Sequence, residues 1–207
     1  MGVDPLKAAF DRGLAALVIL VTAPVFVLVT LAIWVDGLIW AEDRGPIFHR
    51  ETRVSAGRIF SLFKFRTMQV SAIEEARQQG LTVKYLERAN RGHSRVGYYL
   101  RRWYLDELPQ VLNILRGEMS WVGPRPPAPF EYERELSEGN VRKKLARAGL
   151  VGLQQANKGR TQGFDEEIAL DYEYVARVST MSPPRRLVYD VSILLRTLRV
   201  LLEGKGL

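Results

Sequence analysis

The sequence predicts an α-rich α+β protein with a membrane-inserted helix near its amino end and an amphipathic helix near its carboxyl end. Three observations favour this fold class: an uncharged apolar run, one pair of short alternating strands, and several segments with helical periodicity. The 207 residues suffice for one ordinary domain, and no linker, internal repeat or low-complexity tract divides them. We therefore expect a single domain over residues 1–207, with its polar part over 44–182.

The apolar run extends from Leu14 to Val35 without a charged residue. At about 1.5 Å per residue, a helix of this length reaches roughly 33 Å, which is enough to cross the hydrocarbon core of a bilayer. Pro24 near its middle removes an amide donor and predicts a bend. The flanking charges nearly cancel, so three geometries stay open: a kinked spanning helix, a re-entrant hairpin whose ends return to one face, or a straight spanning anchor that tolerates the proline.

The polar part begins with a predicted β-hairpin formed by residues 46–50 and 58–66, which are separated by a turn-forming Ser-Ala-Gly sequence. Residues 69–90 and 131–147 are polar and predict solvated helices, the second interrupted near Gly139. These elements make the middle of the chain a mixed domain in which helices predominate.

The carboxyl end carries apolar residues at helical spacing over 185–203, with polar residues largely on the opposite face. Such a helix either packs on the core or lies on anionic lipid, and both roles can hold together. The paired Arg185 and Arg186 at its start suit an anionic surface.

Composition limits the chemistry. Lys and Arg number 30 against 23 Asp and Glu, and the formal net charge of +7 indicates an anionic partner such as nucleic acid, a lipid surface or a phosphorylated substrate. The absence of cysteine excludes thiol catalysis and zinc–cysteine sites, and two histidines, His49 and His93, offer little to a multi-histidine metal site. No GxxxxGK[ST], GxGxxG or HExxH pattern occurs. Carboxylates therefore carry most of any chemistry.

The sharpest candidate is the acidic pair Asp106 and Glu107, which precedes an apolar helical pattern running from Pro109 to Gly117. We predict both acids at a helix N-terminus, where free amides and the helix dipole favour anions. Successive helical residues point about 100° apart, so one acid could attack while the other holds a metal ion. Plain capping is the alternative, but Arg101, about one turn upstream, brings the opposite charge to the same place.

Several cations lie in patterns that suit phosphate groups. Lys64 and Arg66 share a face at the end of the second predicted strand, which suggests an anion site. Arg125 stands between two prolines that stiffen its loop, and Arg160 ends a basic loop that contains a glycine. Each pattern also fits an ordinary solvated surface. Together with the paired carboxylates, these cations are the groups that phosphoryl transfer with a divalent cation requires.

The ordered blocks KFRTM (64–68), DELPQ (106–110) and VGPRP (122–126) resemble the bacterial sugar transferases, and specifically the small monotopic phosphoglycosyl transferases. The resemblance covers nearly the whole chain, and the combination of blocks is far more specific than any one of them. The chain looks like the minimal catalytic form, without the additional membrane helices and domain of larger members.

The resemblance implies a ping-pong reaction at the cytosolic face of the bacterial inner membrane. Asp106 would attack the sugar-linked phosphate of a UDP-sugar, release UMP and retain a covalent aspartyl phosphosugar. A polyprenyl phosphate such as undecaprenyl phosphate would accept the sugar phosphate, as the first membrane step of glycoconjugate or exopolysaccharide biosynthesis. The sugar and the pathway stay open.

The resemblance also assigns individual residues. Glu107 would hold Mg²⁺, which neutralises the diphosphate, and Asp171 matches a family acid near the site. The family's front segment is a re-entrant helix broken at a proline, so Pro24 favours the hairpin over the spanning helix. The cations that match family positions around the phosphates and the nucleotide are Lys64, Arg101, Arg125 and Arg160.

The chain departs from the family pattern in three places. Ala23 replaces the serine that often precedes the kink proline, so a hydroxyl that could satisfy freed backbone groups is missing. An Ala-Gly pair at 148–149 replaces the usual Pro-Gly, which affects the shape of that loop. The stretch 181–186 looks inserted and would reposition the last helix.

Two other functions compete with the transferase. A basic membrane-anchored adaptor would explain the charge and both apolar ends, but not the acids beside a Pro-Arg-Pro loop. A nucleotide-sugar hydrolase would use water in place of the lipid. We expect membrane lipid as a partner and no nucleic acid, and a homodimer is compatible with the sequence.

Overall fold

The computed structural model describes residues 4–79, 86, 91–157 and 164–203, and helices predominate among them. The helices are α1 (Pro5–Ile39), α2 (Val70–Gln78), α3 (Arg95–Arg102), α4 (Gln110–Leu115), α5 (Pro129–Ser137), α6 (Arg142–Leu145), α7 (Leu153–Ala156), α8 (Phe164–Thr180) and α9 (Pro183–Leu202). The strands are β1 (Phe48–Ser55), β2 (Arg58–Phe65), β3 (Ser120–Val122) and β4 (Gly149–Val151). Two short 3-10 turns cover Ala41–Asp43 and Leu105–Glu107. The α-rich α+β class is confirmed.

Two compact units interleave along the chain. The first unit comprises Met1–Leu17, Glu51–Leu62 and Val111–Leu207, and the second comprises Val18–Arg50 and Phe63–Gln110. Each unit therefore combines segments that are distant in sequence. The single domain expected from the sequence stays a prediction.

Helix α1 continues through Pro24 without ending there. The Thr22 hydroxyl donates to the Val18 carbonyl at 2.6 Å, so a hydroxyl one residue before Ala23 does bond to the backbone of this segment. Such side-chain bonds often bend helices, as prolines do. The kinked or re-entrant geometry of residues 14–35 stays a prediction.

Among the described residues, α1 is the one helix long and apolar enough to cross a membrane, as judged by length and composition. Only 11% of its most apolar 18-residue stretch is buried within the protein. Leu20, Val21 and Leu28 expose 74%, 68% and 66% of their surface. A core helix would bury such side chains, so this exposure fits a lipid-facing helix.

The hairpin of β1 and β2 turns at Ala56 and Gly57, which both have positive φ (48° and 79°). This is the pattern of the two-residue turns that match the right-handed twist of the strands. The predicted turn is confirmed, but β1 continues up to Ser55 and not only to Arg50. The charged Glu51 and Arg53 concealed this part of the strand, although Val54 and Ser55 at its end are buried. The interrupted helix predicted over 131–147 is confirmed as α5 and α6.

The sequence did not predict the parallel pair of β3 and β4 in the first unit, where Val122 lies opposite Val151. The start of β4 lies so close to the residue after β3 that a Cβ on Gly149 would lie 2.1 Å from the Gly123 nitrogen. A Cβ on Gly123 would lie 2.2 Å from the Arg147 oxygen. The Ala-Gly pair that departs from the family pattern thus keeps its glycine at the position where no side chain fits.

Helix α9 confirms the amphipathic segment predicted over 185–203. Ser182 precedes it, and Pro183 and Pro184 occupy its first turn, where a missing amide costs no hydrogen bond. The apparent insertion at 181–186 therefore starts this helix.

The buried side of α9 is unexpectedly polar. Asp190, Ile193 and Thr197 are buried, whereas a row of apolar side chains on the helix is exposed. The exposed row consists of Val188, Leu195, Leu198 and Leu202. Part of the apolar face of α9 therefore stays outside the core of the first unit.

Candidate active site

Asp106 and Glu107 lie in the 3-10 turn Leu105–Glu107, and α4 begins only at Gln110. The sequence predicted both acids at a helix N-terminus, and the structure places them in a 3-10 turn that ends before α4 begins. Pro109 directly precedes α4, at the edge of the helix where its missing amide is tolerated, and both acids come earlier in the chain. The acids are therefore presented by a tight turn before the helix.

Tyr104 precedes this turn in the left-handed region, with φ 56° and ψ 19°. Its amide donates to the Arg101 carbonyl at 3.2 Å, and its own carbonyl accepts from the Glu107 amide at 3.4 Å. A bulky residue in this region costs about 1 kcal/mol or more and persists only where the surrounding structure imposes it, commonly at functional sites. No sequence signal marked Tyr104.

Apolar side chains fix the acidic turn within the second unit. Leu105 and Leu108, on either side of the acids, pack against a buried cluster that joins α1, β2 and α3. The buried members of this cluster are Val29, Ile33, Phe65 and Leu100. The acids are thereby held close to the helix that we predict to enter the membrane.

Lys64 reaches the acidic pair from the end of β2. Its Nζ lies 3.9 Å from Glu107 Oε1, and both side chains are only 14% exposed. The pKa of Asp106 is raised from 3.8 to about 6, chiefly by burial and then by the charge of Glu107, while Lys64, a backbone hydrogen bond and Arg101 oppose the rise. Asp106 is therefore mostly ionised at pH 7, yet more basic than an exposed aspartate.

His93 contacts Arg101, and the sequence analysis gave it no role. Its Nε2 lies 3.2 Å from Arg101 Nη1, and its Nδ1 lies 3.3 Å from the Thr67 carbonyl oxygen. A carbonyl only accepts, so the imidazole proton belongs on Nδ1, and Nε2 accepts from the guanidinium. A Cβ on Gly97 would lie 2.1 Å from the Thr67 oxygen, so a glycine there lets α3 approach.

A cavity of about 370 Å³ opens beside Arg101 in the second unit. Its described lining is aromatic and basic, which suits a phosphate or a planar ring. The lining residues are His93, Tyr98, Arg101, Arg102 and Tyr104.

Arg66 does not share an anion site with Lys64, and this part of the prediction requires correction. Arg66 is 3% exposed, and its guanidinium donates to the carbonyls of Pro46 at 2.8 Å, Met68 at 3.2 Å and Asp43 at 2.5 Å. Buried carbonyls need donors, and a planar guanidinium can serve several at once. Arg66 therefore holds the backbone of the second unit together.

Arg125 and Asp171 belong to the first unit. Arg125 is exposed between the buried Pro124 and Pro126, as the sequence predicted. Asp171 is buried and accepts from Arg142 Nε at 3.1 Å, and burial raises its pKa to about 6. Arg142 also pairs with Glu135 at 3.1 Å, so Asp171 belongs to a buried ionic network. Arg160 lies outside the described residues.

The sequence profile of the bacterial sugar transferases matches residues 3–204 of the chain. The chain belongs to the bacterial sugar transferase family. The KFRTM, DELPQ and VGPRP blocks that resembled this family thus lie within one continuous match.

Curated relatives of this sugar transferase include two that are named for transfer reactions and one that is named for exopolysaccharide production. The "Galactosyl transferase CpsE" of Streptococcus agalactiae serotype III is 37% identical over 174 residues, which are 80% of this chain and 36% of that protein. The "UDP-glucose:undecaprenyl-phosphate glucose-1-phosphate transferase" of Caulobacter vibrioides is 36% identical over 211 residues, or 98% of this chain and 72% of that protein. The "Exopolysaccharide production protein ExoY" of Sinorhizobium fredii is 34% identical over 212 residues, which are 97% of this chain and 87% of that protein.

The chain spans only part of some relatives. It covers 36% of CpsE and 32% of an "Undecaprenyl-phosphate glucose phosphotransferase" from Komagataeibacter xylinus.

Proposed function

We propose that this sugar transferase moves a sugar 1-phosphate from a UDP-sugar to a polyprenyl phosphate such as undecaprenyl phosphate. The observation that carries the proposal is the half-buried Asp106, whose pKa is raised to about 6, in a strained turn beside Lys64 and packed on α1. The printed names of relatives support this choice of donor and acceptor.

The first step is an attack by the Asp106 carboxylate on the phosphorus that carries the sugar. The bond from this phosphorus to the bridging oxygen breaks, UMP leaves with the electron pair, and an aspartyl phosphosugar remains. In the second step an oxygen of the polyprenyl phosphate attacks the same phosphorus. The Asp106 carboxylate is restored, and a polyprenyl diphosphosugar leaves.

The raised pKa of Asp106 supports the nucleophilic role. At pH 7 the group is mostly ionised, whereas its burial limits hydration and leaves the carboxylate more reactive. Lys64 and Arg101 supply positive charge to the phosphate oxygens in both steps. His93 orients the Arg101 guanidinium toward this role.

The acidic pair fits Mg²⁺, with Glu107 as the principal ligand. Two neighbouring carboxylates repel each other, since the charge of Glu107 raises the pKa of Asp106, and a cation relieves this repulsion. One or two carboxylates with substrate phosphates form a common Mg²⁺ donor set, and the described residues contain no group of three or more such ligands. When bound, Mg²⁺ neutralises the diphosphate charge.

We further propose a monotopic position at the cytosolic face of the bacterial inner membrane, with residues 14–35 re-entrant. A polyprenyl phosphate keeps its phosphate at the bilayer surface, so the nucleophile must lie there too. In the first unit, the exposed apolar row of α9 supports contact with a membrane surface. Tryptophans of the second unit suit the interfacial layer: Trp34, Trp40 and Trp103 are 55%, 41% and 70% exposed.

The test is UMP release from a panel of UDP-sugars, with Mg²⁺ and undecaprenyl phosphate, by the wild type and by Asp106→Asn. We expect release with at least one donor, dependence on the polyprenyl phosphate, and loss in the variant. Release that ignores the lipid acceptor would indicate a hydrolase. No release with any donor, and no thermal protection by UDP-sugars with Mg²⁺, would favour a non-catalytic adaptor.

A further inference from the structure

The first unit contains a cavity of about 510 Å³ that none of the proposed site residues lines. Its described lining includes six cationic and two acidic side chains, together with apolar walls such as Phe60, Val122 and Val178. The volume lies in the range of small-molecule sites. The cations are Lys7, Arg58, Arg116, Lys144, Arg147 and Arg186.

Two of the six cations are neutralised within the unit. Arg186 Nη1 lies 3.5 Å from Asp4 Oδ2, and Lys7 donates to Asp190 at 2.5 Å. The other acid of the lining, Glu118, accepts from the Asn113 amide at 2.6 Å. Arg58, Lys144 and Arg147 therefore carry the excess of positive charge in this lining.

These three cations combine exposed and half-buried positions. Arg58 and Lys144 are exposed, and Arg147 is half-buried. Burial lowers the pKa of Arg147, and the charges of Arg12 and Arg58 lower it further, against a single favourable charge from Asp11. Like charges thus crowd one cavity, and a bound anion would offset their repulsion.

We propose that this cavity is a second anion site, which binds the phosphates of a polyanion such as a diphosphate. Guanidinium groups donate in pairs to phosphate oxygens, and two of these three cations are arginines. The apolar walls reduce hydration and strengthen these contacts. The phosphates belong either to a soluble diphosphate or to the headgroup of an anionic lipid.

The test compares three double variants of the full-length protein in zwitterionic detergent. Arg58→Gln with Lys144→Gln removes two exposed cations of the cavity. Arg134→Gln with Arg177→Gln removes the same charge from exposed positions outside the cavity, at 60% and 55% side-chain exposure. Lys64→Gln with Arg101→Gln weakens the proposed active site and leaves the cavity intact. Unchanged circular dichroism controls for folding.

Inorganic pyrophosphate, titrated calorimetrically without Mg²⁺, is the soluble probe. We expect the cavity variant to bind it about tenfold more weakly or not at all, whereas the Lys64/Arg101 variant and the outer control keep a binding event of wild-type affinity. In the second arm, vesicles with phosphatidylglycerol are compared with pure phosphatidylcholine vesicles. If lipid is the source, only the cavity variant loses the preference for phosphatidylglycerol.

Loss in either arm supports the site and identifies the source of the phosphate. The proposal is overturned if the cavity variant matches the outer control in both arms. It is also overturned if the Lys64/Arg101 variant loses all pyrophosphate binding and no lipid preference depends on the cavity. Both readouts are independent of UMP release, so failure here leaves the proposed function untouched.

Discussion

The Arg101 guanidinium lies 3.2 Å from the imidazole Nε2 of His93, and that imidazole is in turn held at Nδ1 by the Thr67 carbonyl. A neutral histidine thus orients Arg101, whose positive charge lowers the pKa of Asp106. Thr67 belongs to the KFRTM block and Arg101 precedes the DELPQ block. The His93 side chain, which lies outside both blocks, therefore links the KFRTM block to the helix that precedes the DELPQ block.

Replacement of His93 by Phe should reduce transfer without unfolding the protein. The variant keeps the ring volume but removes the acceptor from Arg101, so the guanidinium loses its orientation. We expect kcat/KM for the UDP-sugar to fall about tenfold. His93→Gln retains a side-chain acceptor and should recover part of the loss. Equal activity of the Phe variant and the wild type would exclude a positioning role for His93.

The pH dependence of transfer should report the ionisation of Asp106. Its pKa is raised to about 6, so the nucleophilic form accumulates as pH rises through 6, and kcat/KM should have an acidic limb near that value. Lys64 lowers this pKa and Glu107 raises it. Lys64→Met should therefore move the limb to higher pH, and Glu107→Gln to lower pH. Shifts in the opposite directions would contradict the assignment.

Lys64 and Arg66 are near neighbours in sequence, but their substitution should have different consequences. Lys64→Gln should abolish most transfer and leave the thermal unfolding midpoint nearly unchanged. Arg66→Lys retains the charge but leaves buried carbonyls without donors, which costs about 1–3 kcal/mol and lowers the midpoint. Unfolding scans in detergent, together with activity per folded protein, separate the two effects. A stable Arg66→Lys protein would mean that its three hydrogen bonds are dispensable.

Gly149→Ala should destabilise the first unit. The new Cβ would lie 2.1 Å from the Gly123 nitrogen, so β3 and β4 must separate, at a cost of about 2–4 kcal/mol. Gly13→Ala is the matched control, because a Cβ there has no neighbour within 4 Å. Thermal unfolding measures both. If both variants unfold at the wild-type temperature, the close approach of the two strands is incorrect.

Local patterns predicted much of the fold. The turn at Ala56 and Gly57 and the terminal helix α9 follow from short-range signals, namely turn residues and helical spacing. The parallel pairing of β3 and β4 could not be predicted in this way. Each strand is three residues long, and pairing depends on two glycines that are distant in sequence.

The candidate site was only partly predictable from sequence. Lys64, Asp106 and Glu107 carried recognisable charge patterns, and the structure brings them together in the second unit. Arg66 showed the same pattern as Lys64 but binds backbone carbonyls. Alternation predicts which face of a strand a side chain occupies, but it does not predict the carbonyls that surround the end of the strand. His93 and Tyr104 were missed because their roles depend on a tertiary contact and on a left-handed backbone conformation.

Trapping of the covalent intermediate tests the proposed reaction most directly. Wild-type protein is mixed with a UDP-sugar labelled in the sugar-linked phosphate, in the absence of polyprenyl phosphate, and protein-bound label and UMP are measured in a single turnover. We expect label on the protein in proportion to the UMP released, its discharge on addition of undecaprenyl phosphate, and neither signal with Asp106→Asn. UMP release without protein-bound label, or label retained by Asp106→Asn, would contradict the proposed reaction.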